Sequence, residues 1–190
     1  MTNKEYYGYR SLKDINARML VMPYAGDKFC LVIILPKAID GIYEVEEKMS
    51  KTNLMKELQL VTHPEVEVFL PRFKIESKLD LTNDLKSLGI VSLFDPEISD
   101  FSGLIKTKGL YLNKVVQKTV IEVNDESGFL GHSILAAPKR ISTEQRRFKV
   151  DHPFLFYVVN TEWQNVLYVG RYRMPEGPGC TMSSSFSFRG

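Results

Sequence analysis

Apolar residues in this chain alternate with polar ones at the twofold period of strands far more often than at the 3.6-residue period of helices. Ala17–Tyr24 and Phe29–Leu35 read as two strands joined by Ala25-Gly26-Asp27-Lys28, a hairpin with Gly in its turn. The second of these is apolar on both faces, as a strand buried between layers would be. Ile42–Leu60 is the most helical stretch, and Thr52-Asn53 reads as a break with a new N-cap, predicting two short helices. Then Val66, Val68 and Leu70 share one strand face, with Glu65, Glu67 and Phe69 on the other. Pro71 predicts a bend or a switch of sheet before Phe73 and Ile75 resume the strand. Leu81–Leu88 reads as a short amphipathic helix carrying Leu81, Leu85 and Leu88 on one side, and Ser92–Leu104 as an ordered loop. Leu110–Val123, rich in β-branched residues, predicts a long strand, and Pro153–Val159 with Val166–Arg173 a closing hairpin. The class is α+β, strand-dominated with a few short helices.

One interval breaks the pattern. Asn124–Val150 shows little core-forming order and carries Gly128, Gly131, Pro138 and the bases Lys139, Arg140, Arg146 and Arg147. A loop this long between good strands is usually a functional device or a disordered segment.

Composition adds bounds. The chain of 190 residues suits one domain, or one domain with a lobe, and 44% hydrophobic with 25% charged residues is ordinary for a globular protein. A formal charge of +2 gives no argument for nucleic acid or a membrane surface. The first sixteen residues hold no apolar core of signal-peptide type, and no apolar run is long enough to span a bilayer. Cys30 and Cys180 are too few for a disulfide framework, and Cys30 reads as a small buried hydrophobe.

Candidate chemistry is sparse. His63, His132 and His152 fall in unrelated segments without metal spacing, and His152 beside Pro153 reads as a structural hydrogen-bonder. Glu65 and Glu67 share a strand face that reads as solvated. Arg140, Arg146 and Arg147 lack the interleaved aromatics that stack bases. No residue set argues for an enzyme, and no cofactor is implied.

Taken together, the motifs resemble the C-terminal half of a serpin. The likeness rests on Leu70-Pro-Arg-Phe-Lys-Ile-Glu-Ser77, Asp84-Leu-Lys-Ser-Leu-Gly89, Asp100-Phe-Ser-Gly103, Lys114-Val-Val-Gln-Lys118, Ile121-Glu-Val-Asn124, Phe148-Lys-Val-Asp-His-Pro-Phe-Leu-Phe156 and Leu167-Tyr-Val-Gly-Arg171. The resemblance implies a multi-sheet serpin-like architecture over residues 1–175, C-terminal half only, with 176–190 a Gly/Ser-rich tail. It further implies a serine protease inhibitor that acts as bait, with residues 124–150 the reactive-centre loop. In that mechanism a protease attacks the loop, and the loop then inserts as an extra strand beside Leu110–Val123.

Counting back from Phe148 places the scissile bond after one of Lys139 to Ser142, and counting forward from Gly128 selects Ser142–Thr143. A cationic side chain suits the acidic pocket of a trypsin-like protease, which favours Arg140–Ile141 over that bond. The hinge would be Glu126, Ser127, Gly128 and Phe129. It departs from the family pattern in its bulk: Phe129, Leu130, Ile134 and Leu135 stand where small residues are expected, and each misfit on insertion costs roughly 1–3 kcal/mol. The alternative is therefore a non-inhibitory or truncated serpin acting as a binding, decoy or substrate protein. The resemblance also implies an extracellular setting and a serine protease as partner. A half-domain with open edges predicts self-association or a complementary N-terminal half.

Overall fold

A computed structural model describes residues 2–106, 109–124 and 146–173. They form ten strands, three short α-helices and one 3-10 turn, and they divide into two compact units, Met1–Lys74 with Glu122–Gly190, and Ile75–Ile121.

The larger unit is built on a five-stranded antiparallel sheet from β2 (Gly8–Leu12), β3 (Ala17–Pro23), β4 (Phe29–Pro36), β9 (Phe154–Asn160) and β10 (Asn165–Tyr172), in the order β10-β9-β4-β3-β2. Gly26 and Asp27 both take positive φ, +88° and +55°, in the turn between β3 and β4. That is the conformation the Gly in the turn anticipates. From Cys30 to Pro36 every residue of β4 is buried. Cys30, Val32 and Ile34 face a helical layer of α1 (Ile42–Ser50) and α2 (Leu54–Leu58), where Ile42, Val45, Met49 and Leu54 cover Met19, Leu155 and Val159. The other face packs aromatic rings. Phe73 meets Phe154 at 5.6 Å, Phe156 at 5.9 Å and Tyr172 at 5.0 Å between ring centroids. The two-helix reading holds, and Asn53 caps α2 by accepting from the Lys56 N–H at 3.2 Å.

A second sheet in this unit has the order β1-β5-β8, from β1 (Thr2–Tyr6), β5 (Glu65–Phe69) and β8 (Arg146–Lys149). β5 pairs antiparallel with β1 and parallel with β8. Val66, Val68 and Leu70 are buried as their alternation requires. Beyond Pro71 the chain enters a different sheet, the pair β6 (Phe73–Asp80) and β7 (Val116–Val123).

The smaller unit, by itself, contains most of β6 and β7, the helix α3 (Thr82–Ser87) and the turn Ser92–Phe94. Asp80 organises its entry to α3, accepting from the Thr82 N–H at 3.1 Å, the Thr82 hydroxyl at 2.6 Å and Lys114 at 3.1 Å. These bonds, the Thr82 side chain's first, hold its carboxyl at about 2.

Three expectations need correction. The strand read as Leu110–Val123 begins only at Val116, because the backbone before it is spent elsewhere. The Leu112 N–H donates to the Leu93 carbonyl at 2.8 Å, and the Val115 carbonyl accepts from Leu81 at 2.9 Å. The leucines of α3 do not make a buried stripe: no residue of the helix is buried and Leu88 is 75% exposed. The interval 124–150 is not loop throughout, since Arg146–Lys149 form β8, with Phe148 fully buried, and Val150 just beyond the strand is nearly so.

Candidate functional site

The candidate site is the segment 125–145, which lies outside the described residues, and the strands on either side of it, β7 and β8, are described. The reactive-bond candidates Lys139, Arg140, Ile141, Ser142 and Thr143 and the hinge candidates Glu126, Ser127, Gly128 and Phe129 all lie outside the described residues.

At the near end, β7 closes with Val123 buried and Asn124 donating to Glu122 at 3.4 Å. Along β7, Val116 and Val120 are exposed.

The far end is held by several independent contacts. β8 lies parallel to β5 with Arg146 opposite Val66 and Phe148 opposite Val68. Phe148 fills the space beneath and meets Tyr9 edge-on at 6.4 Å, while the Arg18 guanidinium lies over its ring at 5.3 Å. Arg18 also donates to the Arg147 carbonyl at 3.3 Å, occupying an acceptor on this strand. The Arg147 side chain pairs with Glu67 at 2.9 Å. The Val150 N–H donates to the Phe69 carbonyl at 2.8 Å.

His152, buried, then fixes the turn into β9. Its Nε2 lies 2.7 Å from the Pro36 carbonyl and its Nδ1 2.9 Å from Asp151. With the carbonyl as acceptor, Nε2 carries the proton of that bond. The hydrogen bond to His152 and then the one to Lys149 hold the Asp151 carboxyl below the usual carboxylate range. His152 is thus placed as a structural hydrogen-bonder. Glu65 and Glu67 are tied to Lys4 and Arg147 on a solvated face. Burial pushes the Cys30 thiol up to about 11.

An open groove of about 540 Å³ adjoins this far end, lined by Tyr9, Arg10, Ser11, Leu60, Thr62, Arg146 and Arg147. The Arg146 guanidinium stacks over the Tyr9 ring at 5.2 Å. No aromatic is interleaved with Arg146 in the sequence, and the ring it stacks on comes from β2, distant along the chain. Nothing in the local sequence around Arg146 signals the groove.

In sequence, residues 125–145 link β7 of one sheet to the anchored strand β8 of another. The sequence matches the family model described as Serpin (serine protease inhibitor) over residues 1–175, and the chain belongs to the serpin family. It is 31% identical over 173 residues to human serpin B3, covering 89% of this chain and 44% of that protein. It is 33% identical over 190 residues to human leukocyte elastase inhibitor, covering 92% and 48% respectively. Among solved structures, a serpin from the trematode Schistosoma haematobium is similar with a TM-score of 0.75 at 27% identity, covering 93% of this chain and 46% of that one. Uncleaved ovalbumin is similar with a TM-score of 0.71 at 25% identity, covering 92% and 44%. The chain thus spans about half the length of the relatives it matches, and about half of the serpin fold. Serpins are protease inhibitors and generally not catalysts. They include both secreted and intracellular members, so membership does not choose a compartment. Among the described residues no helix is long and apolar enough to cross a membrane.

Proposed function

We propose that residues 125–145 are a bait loop through which this chain engages a serine protease as a serpin-type inhibitor, offering Arg140–Ile141 as the scissile bond, with Lys139 and Ser142–Thr143 the neighbouring candidates. The observation that carries the reading is the anchoring of the far end, where Phe148, the Arg147–Glu67 pair and His152 hold β8 against the main body. A bait peptide must be held in one geometry to enter a protease cleft, and a firm attachment limits the ordering cost of doing so. The name of one relative, an elastase inhibitor, agrees. In this reading residues 1–175 are the serpin domain and 176–190 a tail, Glu126, Ser127, Gly128 and Phe129 act as hinge, and the site of action is extracellular.

Two observations favour a second reading, a substrate, binding or decoy serpin. The segment after the hinge is bulky at Phe129, Leu130, Ile134 and Leu135. Among the described residues β7 also sits in a sheet of only two strands. Insertion into such a sheet has no second neighbour, so strand hydrogen bonds form on one side alone. A partner would supply the other side. Exposed Val116 and Val120 on β7, and Val166, Leu167 and Tyr168 on the outer strand β10, are the surfaces it would cover. That partner is a second copy or a complementary N-terminal half. A single species of 21.8 kDa in light scattering would remove the self-association arm.

Timed incubation with trypsin, read on a denaturing gel, tests the inhibitory reading. A band at the summed mass that survives boiling supports covalent inhibition. Free nicked protein without that band transfers the assignment to the second reading.

A further inference from the structure

The groove beside β8 carries more cationic donors than its own side chains use. Arg10 spends Nε on Glu57 at 2.6 Å and Nη1 on the Leu60 carbonyl at 3.2 Å, leaving Nη2. Arg147 spends Nε on Glu67, leaving both terminal nitrogens. Arg146 has no acidic partner among the described residues, and its guanidinium lies over the Tyr9 ring at 5.2 Å, which holds the plane in place. Arg18, on the neighbouring Phe148, likewise lacks an acid among the described residues, and its Nε is buried without an acceptor. Two carboxylates, Glu57 and Glu67, therefore answer the three guanidinium groups that line the groove, those of Arg10, Arg146 and Arg147. Ser11 and Thr62 line the same space, the Thr62 hydroxyl donating to the Tyr9 carbonyl at 3.2 Å.

Guanidinium groups with free paired N–H donors match tetrahedral oxyanions in geometry as well as charge. A ring-stacked arginine loses less side-chain freedom on binding than a free one. Polar and apolar surface share the lining, the large apolar side chains being Leu60 and the Tyr9 ring. Its volume of about 540 Å³ exceeds a bare oxyanion and lies in the range of sites for small organic ligands.

We infer that this groove is a binding site for a phosphate or sulfate ester of a small organic molecule, with Arg146 as its principal charge contact. The assignment does not depend on whether the segment 125–145 is a protease bait.

Calorimetric titration at fixed ionic strength tests it, with glucose 6-phosphate, inorganic phosphate, inorganic sulfate and glucose as probes. The expected result is saturable binding of glucose 6-phosphate and none of glucose. Tighter binding of the ester than of either inorganic anion would support a site that also seats the organic part. Equal binding of all three anions would overturn that part and leave an oxyanion site alone. Arg146→Gln removes a side chain with no hydrogen bond or ion pair among the described residues, so folding should survive, and affinity should fall at least about tenfold. Arg146→Lys should restore part of the loss, and Lys118→Gln on β7 should change nothing. The inference is overturned if no anion binds, if Lys118→Gln weakens binding as much as Arg146→Gln, or if a Glu-rich peptide binds where glucose 6-phosphate does not.

Discussion

Gly170 gives a stability prediction whose magnitude follows from contact geometry. It stands on β10 directly opposite Phe156 of β9. A Cβ placed there would lie 2.3 Å from Cζ and 2.5 Å from Cε1 of the Phe156 ring. No real side chain tolerates such approaches, so Gly170→Ala must displace the ring or the strand. The ring has little room, since Phe156 is fully buried and packed on Phe73 at 5.9 Å, in a cluster that continues to Phe154 and Tyr172. Overpacking of this kind costs about 1–3 kcal/mol, with the upper half expected here because the obstacle is an enclosed ring. At about 2 kcal/mol the melting temperature of a chain this size falls by roughly 4–8 °C. Far-UV circular dichroism in a urea series and a thermal scan reads both quantities. The diagnostic step is a double-mutant cycle with Phe156→Leu, which shortens the obstacle. In that background Gly170→Ala should cost less than about 0.5 kcal/mol, where independent sites would keep its cost unchanged. An equal penalty in both backgrounds, or none in either, would refute the argument that the ring demands this glycine.

Three further outcomes follow from the same contacts. With its pKa at about 11 against an ordinary 9.0, the buried Cys30 thiol is far less ionised at pH 8 than a free one, so alkylation mapped by mass spectrometry should be at least about tenfold slower at Cys30 than for a free thiol. Asn53→Ala removes the α2 cap and should lower stability by about 1 kcal/mol in urea denaturation. The Asp151 carboxyl is depressed in the folded chain, so its contribution is present above its unfolded pKa of about 3.8 and is lost as pH falls through the lower folded value. The stability advantage of the native chain over Asp151→Asn should therefore be full at neutral pH and shrink below about pH 4, and a constant difference would contradict the pairing with His152 and Lys149.

What was legible in the sequence depended on whether the signal was local. β4 announced itself because both of its faces are buried, leaving an unbroken apolar run, and the Asn53 cap was readable because a side chain bonding three residues ahead is a local event. Pro71 marked a change of sheet because a strand interior cannot keep a residue without an N–H. β8 was hidden. It is four residues long, three of them cationic, and its only apolar signal is Phe148. Its place is fixed by β5, whose parallel pairing lies far away in sequence. The start of β7 failed for a related reason, since residues 110–115 have strand composition but bond to Leu93 and Leu81 instead. The groove around Arg146 was beyond local reading altogether, because Tyr9, Thr62 and Arg146 come from three separate stretches. The family, by contrast, was readable from motifs alone, and the interior of the proposed bait segment is where motif counting leaves Arg140–Ile141 and Ser142–Thr143 in competition.

The measurement that bears most directly on the bait assignment is a map of the first bond cut under limiting trypsin, by intact mass at early times. The chain holds 25 lysines and arginines, so the choice among them is informative. The account predicts that the first cut falls within 139–143, after Arg140 foremost, while the bonds after Arg147 and Lys149 in anchored β8 stay whole. First cleavage elsewhere, with 139–143 still intact, would contradict it.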